Sequence, residues 1–164
     1  MPRFCLVVAN AARCRLYHIA PTDNGGSDPT VTLDERGDYI SSARRRPPGD
    51  ALTDHPGSAH APTGVRFGLD DHREERTRSI DRGFATTIAA SLAGLLAESQ
   101  TTRALLVASP RMLGELRRAC RAALPPGIQL DELPVDLTRL STPQLHDRLA
   151  DHGLVPARER LARA

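Results

Sequence analysis

Lysine is absent from this chain, and all 22 basic residues are arginine. That excludes a lysine nucleophile, a Schiff base and a P-loop lysine. Tryptophan is absent too, and only three Phe and two Tyr are present, so the core must be aliphatic. The three cysteines, Cys5, Cys14 and Cys120, are too few and too scattered for a disulfide framework, and no CxxC pair points to zinc. No stretch approaches the roughly 20 apolar residues of a membrane span. The apolar opening from Phe4 to Ala9 is too short for a secretory signal. A cytoplasmic protein in a reducing compartment is expected. Against 22 basic residues stand 20 acidic ones, a net +2 that does not demand a polyanionic partner. Arginine without lysine has two readings, GC-rich codon bias or selection for guanidinium groups that bind phosphate.

At 164 residues the chain has the size of one domain. Residues 4–9 form an unbroken apolar run, as in a strand covered on both faces. Residues 14–19 alternate, with Leu16 and His18 opposed to Arg15, Tyr17 and Ile19, and predict a half-exposed strand joined to the first by a hairpin at 10–13. A third strand is expected from Val31 to Ile40, with a bulge at Gly37 and Asp38. Residues 41–68, with Pro47, Pro48, Pro56 and Pro62, read as a long loop, either functional or simply low in hydrophobic content. From about Asp71 to Ser99, Ile80, Phe84, Ile88, Leu92, Leu95 and Leu96 recur at helical spacing. The helix would be roughly 40 Å long, with a polar first half that projects or frays. Residues 104–108 predict a buried strand, and Ser109 an N-cap with Pro110 in the first turn of a helix to about Ala123. A strand at 128–135 and a helix opened by Thr142-Pro143 complete the pattern. The order implies an α/β fold: an antiparallel meander of three strands, two parallel strands and flanking helices. One domain over 1–155 and an Arg/Ala-rich tail at 156–164 are expected.

On a helical wheel at about 100° per residue, Met112, Leu113, Leu116 and Cys120 share one arc, while Arg111, Arg117, Arg118 and Arg121 occupy another about 120° wide. That face fits either a phosphate backbone or plain solvent. Cys120 belongs to the core arc. The strand-to-helix turn at Ser109 suits an anion at a helix N-terminus, with Arg111 as counter-charge, or a plain cap. The histidines show no HExxH or HxH spacing and read as surface residues, so no metal or cofactor is expected. A serine triad lacks its GxSxG elbow. A two-metal nuclease of the ribonuclease H type lacks carboxylates at Asn10 and Ser109.

Four segments carry a family resemblance: Leu6 to Tyr17, including Asn10-Ala11-Ala12-Arg13; Leu52-Thr53-Asp54-His55-Pro56-Gly57; Phe84-Ala85; and Leu105 to Arg117 followed by Asp136-Leu137-Thr138. Together they resemble the bacterial "protein required for attachment to host cells" family. That family is similar to the middle domain of archaeal and eukaryotic peptide-chain release factors and of Pelota. The resemblance implies a ribonuclease-H-like mixed five-stranded sheet. Asn10 stands where the family usually has Asp, and Val135 where Lys commonly precedes Asp-Leu-Thr. The release factors' Gly-Gly-Gln loop is missing, so peptidyl transfer does not carry over.

Three functions are compatible with these features. One is a non-enzymatic RNA- or ribosome-binding domain that uses Arg13, Asp54, Gly57, Ser109, Arg111, Arg117, Arg118 and Arg121. Another is a hydrolase at the Ser109 turn, with Asp54 or His55 brought in from the loop. The third is a protein-interaction module that affects attachment indirectly, which would show a large exposed apolar patch. The sequence does not specify an oligomeric state.

Overall fold

The computed structural model describes residues 3–22, 30–44 and 67–158. Strand β1 (Phe4–Ala9) pairs antiparallel with β2 (Arg13–Thr22), which pairs antiparallel with β3 (Thr30–Ile40). After a 3-10 turn at Ser42–Arg44 and the undescribed segment comes helix α1 (Phe67–Ser99). It is followed by β4 (Arg103–Ala108), α2 (Pro110–Ala123), β5 (Gln129–Leu133) and α3 (Thr142–Asp151). Strand β4 joins β1 in parallel and β5 joins β4 in parallel, giving the order β3-β2-β1-β4-β5. This is the expected five-stranded mixed sheet flanked by helices.

The strand period of two divides the core into two layers. Cys5, Val7 and Ala9 of β1 and Ala104, Leu106 and Ala108 of β4 face α1 and α2, where they meet Phe84, Ile88, Leu92, Met112, Leu116 and Cys120. Phe4, Leu6, Val8, Leu105 and Val107 face the other way, onto Leu145 and Leu149 of α3. Burial pushes the Cys120 thiol up to about 11, so the thiol stays protonated and serves as packing.

Several expectations need correction. Strand β2 is covered on both faces, because Cys14 and Leu16 enter one layer and Tyr17 and Ile19 the other. Alternation there reflects Arg15, which is buried yet charged. The bulge falls one residue early. Leu16 pairs with Gly37 and Tyr17 with Glu35, so Arg36 is the extra residue. Gly37 is glycine because a Cβ there would lie 2.6 Å from the Tyr39 ring. Helix α1 starts about a turn upstream of Asp71, which makes it about 50 Å long at 1.5 Å per residue. Its polar first half is exposed from 71 to 76. His146 is not a surface residue: it is 7% exposed, and its Nε2 donates to the Pro156 carbonyl at 2.9 Å. Packing of the chain after α3 over that ring buries it.

Candidate functional site

Because β2 and β3 run antiparallel in turn, the C-terminal ends of β1, β3, β4 and β5 all emerge at one edge of the sheet, beside the start of β2. Ligands of α/β sheets gather where parallel strands end. Two of the four segments singled out above meet there, the last of them through both of its parts. Asn10 closes the β1–β2 hairpin: its N–H donates to the Arg13 carbonyl, and its Oδ1 accepts from the Ala12 and Arg13 amides at 2.8 and 2.9 Å. Its Nδ2 donates to Asp136 Oδ2 at 3.0 Å and Thr138 Oγ1 at 2.9 Å, which ties β1 to the segment after β5. Burial opposes ionisation of Asp136, yet hydrogen bonds from Thr138 and Asn10 hold its carboxyl below the ordinary value. An amide at position 10 therefore acts as a clasp in which both of its polar atoms are used.

Arg13 and Ser109 also lie on this edge. Arg13 donates through Nε to Asp38 at 2.8 Å and through Nη2 to its second oxygen, a bidentate pair across β2 and β3. Ser109 precedes α2 as expected, but its hydroxyl makes no capping hydrogen bond; its carbonyl instead accepts from the Leu113 amide at 2.9 Å. The real capping box belongs to α3, where Ser141 and Gln144 satisfy each other's backbone amides. A nucleophilic serine needs a base within hydrogen-bond reach. No described side chain hydrogen-bonds to Ser109, and Asp54, His55 and Gly57 lie outside the described residues.

The four arginines of α2 share one face, and the structure sets carboxylates against three of them. Arg111 pairs with Asp81 of α1 at 3.1 Å. Arg117 makes a bidentate pair with Glu132 of β5, through Nε at 2.7 Å and through Nη2. Arg118 donates to Glu115 at 2.8 Å, and Arg82 of α1 approaches the same carboxylate at 3.5 Å. Arg121 makes no ion pair with a described residue. In each pair the acid is the deeper member: Asp81 is 2% exposed against 51% for Arg111, and Glu115 15% against 65% for Arg118. The Arg117 guanidinium holds the Glu132 carboxyl below its ordinary value. The outward surface is thus guanidinium, preoriented by carboxylates beneath it.

Two of these acids left a trace in the sequence. Glu115 and Arg118 have the i,i+3 spacing of a helical pair. Asp81 lies three, four and seven residues before Phe84, Ala85 and Ile88, on the apolar stripe, where a carboxylate must be buried and partnered. Glu132 needed the β4–β5 register.

A groove of about 640 Å³ between the end of β3 and α1 is lined by Tyr39, Ile40, Ile80 and Phe84 among others. Ile40 in this groove is a large hydrophobic side chain left 55% exposed. Among the described residues, no group of three or more His, Cys, Asp or Glu side chains is placed to hold a metal ion, and no helix is long and apolar enough to cross a membrane.

No curated protein matches the chain. Among solved structures, the crystal structure of the type II variant of the Aquifex aeolicus Ppx/GppA phosphatase is similar at 14% identity and a TM-score of 0.43. That match covers 81% of this chain and 36% of the other. A second crystal structure of the Aquifex aeolicus member of the Ppx/GppA family is similar at 17% identity and a TM-score of 0.34, covering 80% and 35%. The chain therefore spans about a third of those proteins, and likenesses this distant carry no activity to it. The sequence profile of the family described as "protein required for attachment to host cells" matches residues 5–149, more than half of the chain, and the chain belongs to that family.

Proposed function

We propose that this family member is a non-enzymatic, cytoplasmic domain, one unit over residues 1–155, that binds RNA, free or within the ribosome, through the outer face of α2. The inverted burial of its ion pairs carries the reading: Asp81, Glu115 and Glu132 sit beneath Arg111, Arg82, Arg118 and Arg117, so guanidinium groups meet the solvent. Phosphate is the natural outward partner of such groups, since Arg binds it in a planar, two-pronged fashion. The family's similarity to the release-factor and Pelota middle domain, read from the sequence, belongs to the same proposal. So does the placement of Arg13 and Ser109 at the neighbouring sheet edge as further contacts.

The test is the salt dependence of binding to single-stranded RNA. Each phosphate contact contributes about −0.7 to the slope of log affinity against log salt. Replacing Arg117, Arg118 and Arg121 together with Ala is expected to flatten the slope by about 2. Arg158→Ala, which breaks a pair with Asp147 on the α3 side, leaves it unchanged. Affinity for RNA that does not respond to salt, or its absence, overturns the proposal.

A further inference from the structure

Gly114 is unexplained by the packing of the protein against itself. It lies in the middle of α2, where glycine weakens a helix. A Cβ built on it would meet nothing within 4 Å, so no neighbour requires its absence. Its φ is not in the left-handed region either, since among the described glycines only Gly127 and Gly153 are. What surrounds Gly114 is a concavity of about 290 Å³ lined by Gly114, Arg117, Arg118 and Arg121. The three arginines follow it by three, four and seven residues, all within about 60° of it around the helix axis. Helical side chains lean toward the N-terminus, so long ones at these positions extend back over the turn that contains Gly114. Arg117 uses Nε and Nη2 on Glu132, and Arg118 uses Nη1 on Glu115. The bidentate pair fixes the Arg117 guanidinium plane beside the concavity, the single bond to Glu115 draws Arg118 alongside, and Arg121 completes it without an ion pair to a described residue.

From this geometry we infer that Gly114, Arg117, Arg118 and Arg121 form a discrete seat for one phosphate group, in which the bare backbone of Gly114 is the floor and the guanidinium groups are the walls. The inference rests on the RNA reading above for its ligand, and it differs from a diffuse cationic surface in requiring the glycine. A side chain at 114 would fill the space without removing any charge. The phosphate is either an internal diester of the RNA or its 5′-terminal monoester, which share the same anionic oxygens.

The experiment follows the Gly114 amide by NMR during titration with inorganic phosphate, and measures by anisotropy the binding of one single-stranded RNA prepared with a 5′-phosphate or a 5′-hydroxyl. The expected result is a saturable shift of the Gly114 amide and a loss of RNA affinity of about tenfold in Gly114→Leu, the size of one charge-assisted contact. Gly94→Leu changes nothing; Gly94 is an exposed glycine of α1 whose Cβ would also meet nothing within 4 Å. Tighter binding of the 5′-phosphate RNA assigns the seat to the terminal monoester, and equal binding of the two RNAs assigns it to a diester. Gly114→Leu that binds RNA as tightly as the parent, while the triple arginine variant does not, overturns the seat and leaves the RNA reading standing. A saturable phosphate shift without RNA binding does the reverse. No phosphate shift together with no RNA binding overturns both.

Discussion

Arg15 and Arg111 are both paired with carboxylates, but the pairs are built inside out relative to each other. At Arg15 the guanidinium is the buried member, 9% exposed against 34% for Glu35. At Arg111 it is the exposed one, 51% against 2% for Asp81. Arg15 donates to both oxygens of Glu35, to the Leu140 carbonyl at 2.6 Å and to Thr142 at 3.2 Å, and lies over the Tyr17 ring at 5.2 Å. Those bonds join β2 to β3 and to the start of α3, and they turn the donors inward. The α2 pairs keep the carboxylate inside and turn the guanidinium outward. Arginine in place of lysine, uniform across the chain, thus serves two ends that composition cannot separate. In the first region it is a cross-brace, and in the second it is a surface.

That contrast breaks most readily at Arg15. Arg15→Met keeps much of the aliphatic stem but leaves Glu35 and the Leu140 carbonyl without their donor. Unfolding in urea should show a loss of about 3 kcal/mol. Salt-dependent RNA affinity of the folded fraction should not move. A loss below about 1 kcal/mol would place Arg15 with the surface arginines instead. Next in size is Asp81→Asn, which removes the buried charge under Arg111. A cost of about 1–2 kcal/mol is expected from weaker hydrogen bonding at a buried site. RNA binding should tighten at low salt, because a negative charge beneath the cationic face is gone. Weaker binding would mean that orientation by Asp81 matters more than its charge.

How far the sequence anticipates these features depends on the range of the interaction involved. The strands at 4–9 and 104–108 are legible because both faces are apolar, and the helix ending at Ser99 because Phe84, Ile88 and Leu92 keep helical spacing over a long stretch. The four-arginine face of α2 and the buried place of Cys120 follow from the same local arithmetic. What escapes is non-local. Glu132 reaches Arg117 only because β5 pairs in parallel with β4, and Asn10 reaches Asp136 across 126 residues of chain. Arg15 misleads for the same reason: a charged residue in an alternating strand signals solvent, unless carboxylate and carbonyl groups from distant segments close around it. Gly114 is visible in the sequence, but a helical glycine gains meaning only once the space above it is known to be open.

The smallest expected effect sharpens the comparison through pH. Arg15 hydrogen bonds hold the Glu35 carboxyl below its ordinary 4.5, and Arg117 hydrogen bonds do the same for Glu132. Since each carboxyl is more acidic in the folded protein, each pair's stabilisation is fully present above the ordinary value and is lost as pH falls through the lowered one. Glu35→Gln cannot titrate, so stability followed from about pH 7 to about pH 2 should fall less steeply on the acid side than in the parent. At neutral pH it should cost about 1 kcal/mol, well short of Arg15→Met, because a third of Glu35 faces solvent. Glu132→Gln should flatten the acid limb less, since Arg117 is 43% exposed where Arg15 is 9% and water screens the pair. Raising the salt to about 1 M should erase the Glu132 effect before the Glu35 effect. Equal flattening in the two variants would show that both pairs are screened alike, and the distinction between brace and surface would then rest on burial alone.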